Sequence, residues 1–183
     1  MQTEKVIDYI VNWLKDYATK AGVKGFVIGV SGGVDSGVVS TLCAMTGLKV
    51  LALEMPIRQQ KDQASRALEH IDFLKNKFPN VEGFTVDLNE PFEALYKTFD
   101  VKDDEFPAEK LAFANTRSRL RMLTLYYYGQ INGLLVCGTG NKVEDFGIGF
   151  YTKYGDGGVD VSPIADLYKT EVYALARALD LPE

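Results

Sequence analysis

The chain has 183 residues, 46% of them hydrophobic and 25% charged, a balance that fits one soluble globular domain and excludes disorder as the main state. A chain of this length buries about 70% of the surface it exposes when unfolded, so its core needs no staples. Twenty Lys and Arg against 25 Asp and Glu leave a net charge of −5, which argues against general polyanion or nucleic-acid binding.

Cys43 and Cys137 are the only cysteines. Neither sits in a CxxC or beside a histidine pair, so neither a disulfide framework nor a Cys/His zinc site is expected; both read as core fillers. His70 is the single histidine and has no motif around it that would make a triad. Glu4, Asp8, Lys15 and Asp16 interrupt the apolar stretch at the N-terminus, so no signal peptide is expected. No run approaches about eighteen uncharged apolar residues, and no membrane span is expected either. The expected location is cytoplasmic.

In chain order, Val6, Ile7, Ile10, Val11, Trp13, Leu14 and Tyr17 recur at helical spacing and stop near Ala21-Gly22. FVIGVS, residues 26–31, is apolar on both sides, as a buried parallel strand is. A helix follows over 34–45, a strand over 49–56 closed by Pro56, a surface helix over 60–77 with Ala64, Ala67, Leu68, Ile71 and Leu74 as its apolar stripe, and a strand over 81–88. Residues 89–99 read as a short helix and VKDDEF, 101–106, as a charged loop. Pro107 opens a long helix to Gln130 from a permitted first-turn position. GLLVCGTG, 133–140, is a fourth strand; 146–159, with five glycines and no period, reads as a functional loop; Ile164–Leu179 reads as a last helix. Strands alternating with helices predict an α/β fold with a doubly wound parallel sheet and helices on both faces. Ligands of such sheets bind outside the carboxyl ends of the strands, just after residues 31, 56, 88 and 139.

GVSGGVDS, residues 29–36, stands at the first of those places. Gly32 and Gly33 permit a sharp turn that exposes bare N–H groups, and the helix that follows adds its dipole, so the loop suits phosphate. Ser31 and Ser36 add hydroxyls, and Asp35 is a hard oxygen ligand suited to Mg²⁺. The loop lacks the lysine of GxxxxGK[ST] and the spacing of GxGxxG. A tight turn with a serine cap is the plain structural alternative. Glu144 follows the fourth strand, so Asp35 and Glu144 could share one magnesium ion against nucleotide phosphates. Arg117, Arg119 and Arg121 cannot all face one site, because at 100° per residue Arg119 points about 200° from Arg117. Arg117 is read as a surface salt-bridge former, and Arg121 stays open.

SGGVDS after a first parallel strand resembles the pyrophosphate loop of the ATP pyrophosphatases. GTGNKVEDFGIGFYTKYGDGGVDVSPIADLYKTEV, 138–172, and NTRSRLRM, 115–122, are similar to the NAD synthetase signature within that group. The resemblance runs over almost the whole chain. It implies a Rossmann-like fold of the adenine nucleotide alpha-hydrolase type. It also implies an ammonia-dependent ligase that turns deamido-NAD into NAD with ATP, through an adenylate, releasing AMP and pyrophosphate. Carried over residue by residue, it implies ATP contacts at Gly29, Val30, Ser31, Gly32, Gly33, Val34, Asp35, Ser36, Thr139 and Lys169. Metal ligation falls to Asp35 and Glu144, and deamido-NAD contacts to Arg119, Lys153 and Asp160. Asp35, Glu144, Lys153 and Asp156 carry the catalysis, with Asp156 handling ammonium. The resemblance further implies a homodimer meeting on helix 107–130.

The expected partners are small molecules, with no nucleic acid and no membrane. The whole of 1–183 reads as one NAD synthetase domain. The family continues past DLPE with further contacts, including a late threonine and a His-Lys pair, so the chain is expected to be a shortened form. Its length leaves no room for an amidase domain, so ammonia is the expected nitrogen donor. Glu54, where some relatives carry arginine, and an EDFGIGFYT segment one residue longer than in some members are departures from the pattern. Loop 146–159 is expected to be a lid that closes on substrate. Two alternatives stay open: another ATP pyrophosphatase such as GMP synthetase or a tRNA-thiolating enzyme, and a nucleotide-binding module without turnover.

Overall fold

The computed structural model describes residues 1–59, 61–99 and 106–182, without the side chains of 61–64. Gln60 and most of the charged segment after Phe99 lie outside the described residues, as does the side chain of Ala64. Four strands, β1 (Gly25–Gly29), β2 (Lys49–Glu54), β3 (Val81–Thr85) and β4 (Leu134–Val136), form a parallel sheet in the order β3-β2-β1-β4. Phe26 pairs with Val50 and Val27 with Val136. The chain steps outward from β1 through β2 to β3, then returns to the far side of β1. The strand order therefore reverses between β1 and β4, where the carboxyl ends leave a crevice.

Alternation along the strands builds two cores. Phe26, Ile28, Val50 and Ala52 face α1 (Thr3–Ala21), α2 (Val34–Met45), α3 (Lys61–Lys77) and α6 (Lys169–Ala178). Val27, Leu51, Leu53 and Val136 face α4 (Asn89–Thr98) and α5 (Pro107–Asn132), meeting Phe92, Phe113, Leu120 and Leu125. Both sheet faces are covered, which is why the strands read as continuous apolar runs rather than alternating ones. The expected doubly wound α/β architecture is the observed one.

The boundaries differ in places. The fourth strand is three residues long instead of eight, followed by a single bridge from Cys137 to Val161. Its outer edge is closed by a side chain, since Asp160 Oδ2 accepts from the Val136 N–H at 2.8 Å. The last helix starts at Lys169 rather than Ile164. The Leu167 carbonyl accepts from the Lys142 N–H at 2.9 Å and so is withdrawn from helical bonding. The first part of the glycine-rich stretch belongs to a π turn, Val143–Ile148, which takes one more residue than an α turn. π turns of this kind recur at functional sites.

The cysteines behave as core fillers: both thiols are free and buried, with sulfurs 3.5 Å apart between α2 and β4. His70 is also core. Its Nε2 lies 2.8 Å from Ser40 Oγ, and burial pushes its pKa down to about 4.

Candidate functional site: a phosphate loop and a shared cation seat

The phosphate loop is laced by its own serines. Ser36 Oγ donates to the Gly33 carbonyl at 2.9 Å and accepts from the Ser31 N–H at 3.2 Å. Ser31 Oγ accepts from the Gly33 N–H at 3.3 Å. Gly32 sits at φ +78°, a left-handed turn that a side chain would strain. Gly33 caps α2 with no side-chain acceptor over the first turn, so the helix presents its N–H groups outward. Gly29, Val30 and Ser31 line a cleft of about 350 Å³ at the β1/β4 crevice. The rest of its wall comes from Met55 and Gln59 after β2, Cys137, Gly138 and Thr139 after β4, and Ser118, Arg121, Met122 and Leu125 of α5. Gly155, Asp156, Gly158 and Val159 close it. Gly32, Gly33, Val34 and Ser36 also border a second hollow of about 570 Å³ under α3 and α6, so the loop is a wall between two spaces.

Asp35 and Glu144 converge on one cation, the Lys169 ammonium. Its Nζ makes a short ion pair with Asp35 Oδ2 and stands 3.8 Å from Glu144 Oε1. Burial works against the Lys169 charge, but the Asp35 hydrogen bond and the two carboxylates outweigh it and hold the ammonium above its ordinary value. Asn141, almost wholly buried, ties the pair together. Its Nδ2 donates to Asp35 Oδ1 at 3.1 Å, while its Oδ1 accepts from the Val143 and Glu144 N–H groups at 3.1 and 3.3 Å. Sequence reading missed Asn141. Its signal was an asparagine opening a turn, where its side chain caps the N–H groups two and three residues on.

The glycine-rich loop is fastened to one stripe of α5. Thr152 Oγ1 donates to Asn115 Oδ1 at 2.8 Å, and Ser118 Oγ donates to Asp156 Oδ1 at 2.5 Å. Arg119 Nε donates to the Lys153 carbonyl at 3.2 Å, and Tyr126 OH to Asp160 Oδ1 at 3.0 Å. Gly155 packs so closely on Ser118 that a Cβ there would lie 2.3 Å from its Oγ. Asp156 therefore reaches the cleft already bonded. Asp160, expected on the dinucleotide, spends both oxygens on Tyr126 and Val136. Burial, then the Asp160 contact, pushes the Tyr126 phenol up to about 12. Lys153 and Arg119 lie exposed outside the cleft, with Lys153 Nζ over the Tyr154 ring.

Arg117 is a correction. Among the described residues it makes no ion pair, and it repels Arg121 one turn on. Glu54, one of the departures from the family pattern, is buried and accepts from Thr85 Oγ1.

A phosphate-type loop at a strand-order reversal, beside two carboxylates that share a cation, defines an α/β domain of the adenine nucleotide alpha-hydrolase class. The sequence then assigns it more closely: the NAD synthase family model matches residues 6–183, and the chain belongs to that family. It is 41% identical over 184 residues to the NH3-dependent NAD⁺ synthetase of Carboxydothermus hydrogenoformans, covering 98% of this chain and 72% of that one. Two solved structures superpose closely. The NMN synthetase of Francisella tularensis gives a TM-score of 0.89 at 35% identity, covering 100% of this chain and 72% of that one. The NH3-dependent NAD synthetase of Campylobacter jejuni, in complex with nitrate, gives 0.87 at 33%, covering 99% and 75%.

Proposed function

We propose that the chain is a ligase that amidates deamido-NAD to NAD with ammonia at the expense of ATP, through an adenylated intermediate. The observation that carries the reading is the pairing of the phosphate loop with the Asp35–Glu144 cation seat, in a family whose relatives are described as NH3-dependent NAD synthetases. A nicotinate carboxylate oxygen attacks the α-phosphorus, the bond to the bridging oxygen breaks, and pyrophosphate leaves. Ammonia then attacks the acyl carbon, AMP leaves with the C–O electron pair, and the surplus proton passes to a base.

The chain's own work is positioning and neutralisation. The loop N–H groups with Ser31 and Ser36 hold the phosphates, Thr139 contacts ATP from the end of β4, and Lys169 neutralises the departing charge. Arg119, Lys153 and Asp160 take deamido-NAD. Asp156, held by Ser118, accepts the proton from ammonium. Ser40 and His70 touch but are buried in the core, so they offer no nucleophile to a substrate. Two hard carboxylates already gathered around an ammonium fit Mg²⁺, which is commonly held by one or two carboxylates plus phosphates. When bound, it supplies charge neutralisation to the pyrophosphate.

A homodimer through α5 belongs to the same reading. Leu123, Tyr127 and Ile131 are each exposed by 60% or more along one line of that helix, a row suited to a second copy. So do a single NAD synthetase domain over 1–183 and a cytoplasmic location; among the described residues no helix is long and apolar enough to cross a membrane.

The test is product analysis by mass spectrometry after incubation with ATP, Mg²⁺ and ammonium, in parallel with deamido-NAD, nicotinate mononucleotide or xanthosine monophosphate. NAD plus AMP in the first tube sustains the proposal. Because one structural neighbour is described as an NMN synthetase, amidation of the mononucleotide alone would move the acceptor there. Amidation of xanthosine monophosphate alone would make the chain a different ATP pyrophosphatase. ATP that protects against unfolding while no AMP forms with any acceptor would leave a binding module.

A further inference from the structure

Arg121 leaves α5 toward the cleft and donates Nε to the Met55 carbonyl at 3.0 Å. That is its single hydrogen bond among the described residues, and one neutral carbonyl uses one of the five donors a guanidinium carries. No described carboxylate pairs with it. Arg117, a charge of the same sign, stands one helical turn back, and burial together with that charge holds the guanidinium below its ordinary value. Arg58, at the same end of β2, shows the opposite arrangement: it is bidentate to Glu93 at 2.6 and 2.9 Å and stacked over Tyr96. A partly desolvated cation beside a like charge is unfavourable unless a negative group comes to meet it. Arg121 lines the cleft together with Ser31 and Thr139, where such a group arrives with substrate.

We infer that Arg121 contacts an anionic substrate oxygen in the cleft, either a phosphate of ATP or the carboxylate of the nicotinate half. The inference rests on the NAD synthetase reading and adds to it a residue outside the loop and the carboxylate pair. Guanidinium is suited to either group, because its planar fork can donate two parallel bonds to phosphate or carboxylate. The bond to Met55 fixes the fork's direction and leaves the terminal nitrogens for the ligand.

The experiment compares wild type, Arg121→Lys and Arg121→Met by calorimetric binding of ATP, adenosine, deamido-NAD and NAD, with thermal unfolding as the check on folding. A charge-assisted contact predicts that Arg121→Met weakens an anionic ligand by about tenfold to hundredfold, with Arg121→Lys in between. Loss on ATP with adenosine unchanged places the contact on phosphate. Loss on deamido-NAD with NAD unchanged places it on the carboxylate, which NAD replaces by a neutral amide. Equal loss on all four ligands overturns the inference, because a residue that only holds the Met55 wall would weaken them alike. So do four unchanged affinities. The parent reading fails separately: if wild type makes no NAD but Arg121→Met still loses ATP selectively, the contact stands and the reaction does not.

Discussion

Asp160 offers a sharp test of how the site is held. Its carboxylate closes the edge of β4 at Val136 N–H and anchors Tyr126, so Asp160→Ala strands a backbone donor in a nearly buried strand. A stranded donor costs about 1–3 kcal/mol, and the lost phenol contact adds a smaller amount, giving about 2–3 kcal/mol in all. In a domain of this size that lowers Tm by about 5–10 °C. Asp160→Asn should cost less than about 1 kcal/mol, because the amide oxygen still accepts from Val136 while its NH₂ donates to the Tyr126 oxygen. Urea and thermal unfolding measure both. If Asp160→Asn is as damaging as Asp160→Ala, the charge rather than the bonding pattern matters and the account is wrong. If Asp160 also meets deamido-NAD, Asp160→Asn raises the KM for it while Tm stays near wild type. Ultraviolet titration supplies an independent reading. Tyr126 should titrate near 12 in wild type and lower in Asp160→Ala. Because the folded pKa is the raised one, its contribution to stability is present below about 10 and fades as pH climbs towards 12.

Asn141→Ala should destabilise by about 1–3 kcal/mol, since it strands the Val143 and Glu144 N–H groups, and should weaken Mn²⁺ binding measured by electron paramagnetic resonance; unchanged stability would deny Asn141 its organising role. His70 has its folded pKa depressed to about 4 by burial, so its contribution is present above about 6.5 and is lost as pH falls toward 4. Comparing Tm against pH for wild type and His70→Gln should show a shallower acid limb in the variant, and parallel curves would rule the effect out. Tyr127→Glu combined with Ile131→Glu should convert a homodimer to monomer in light scattering; an unchanged mass would place any interface elsewhere.

The parts of the site built from neighbours in sequence were legible before any coordinates. The serine lacing of Ser31–Ser36 uses contacts no more than five residues apart, and the positions of Asp35 and Glu144 follow from where strands end. The expected split of the arginines also has a visible counterpart, with Arg119 bonded to the glycine-rich loop and Arg121 to Met55. What stayed hidden depends on long-range closure. Lys169 meets Asp35 across 134 positions and Asn141 meets it across 106, and no local pattern encodes either. The start of α6 was misplaced for the same reason, since Lys142 removes the acceptor that an earlier start would need. Arg117 was misread because its neighbour of consequence is another arginine, so proximity along the helix gave repulsion where a salt bridge was expected.

The misreading of Arg117 has a further cause in α5 itself, which has more than one partner. At 100° per residue, Asn115, Ser118, Arg119, Met122 and Tyr126 fall within an arc of about 100°, the side that fastens the glycine-rich loop. Arg121 and Leu125 occupy the adjoining sector of about 40°, toward the cleft, Gly129 lies farther along the first arc against β1 and β4, and Phe113 packs on Phe92 and Tyr96 of α4. Leu123, Tyr127 and Ile131 fall in the same sector as Phe113 but farther along the helix, where they are exposed and turned away from the cleft and the glycine-rich loop. A helix with a single neighbour shows one apolar stripe; this one carries apolar residues nearly all round, and polar ones wherever a loop must be gripped. Periodicity could therefore find the helix but not assign its faces. The same geometry makes α5 the element through which a second copy would bear on the site: the outward row lies on the same rigid rod as Ser118, Arg119 and Arg121. A displacement of α5 at a subunit contact would move the seat of Asp156 and the wall at Met55 together.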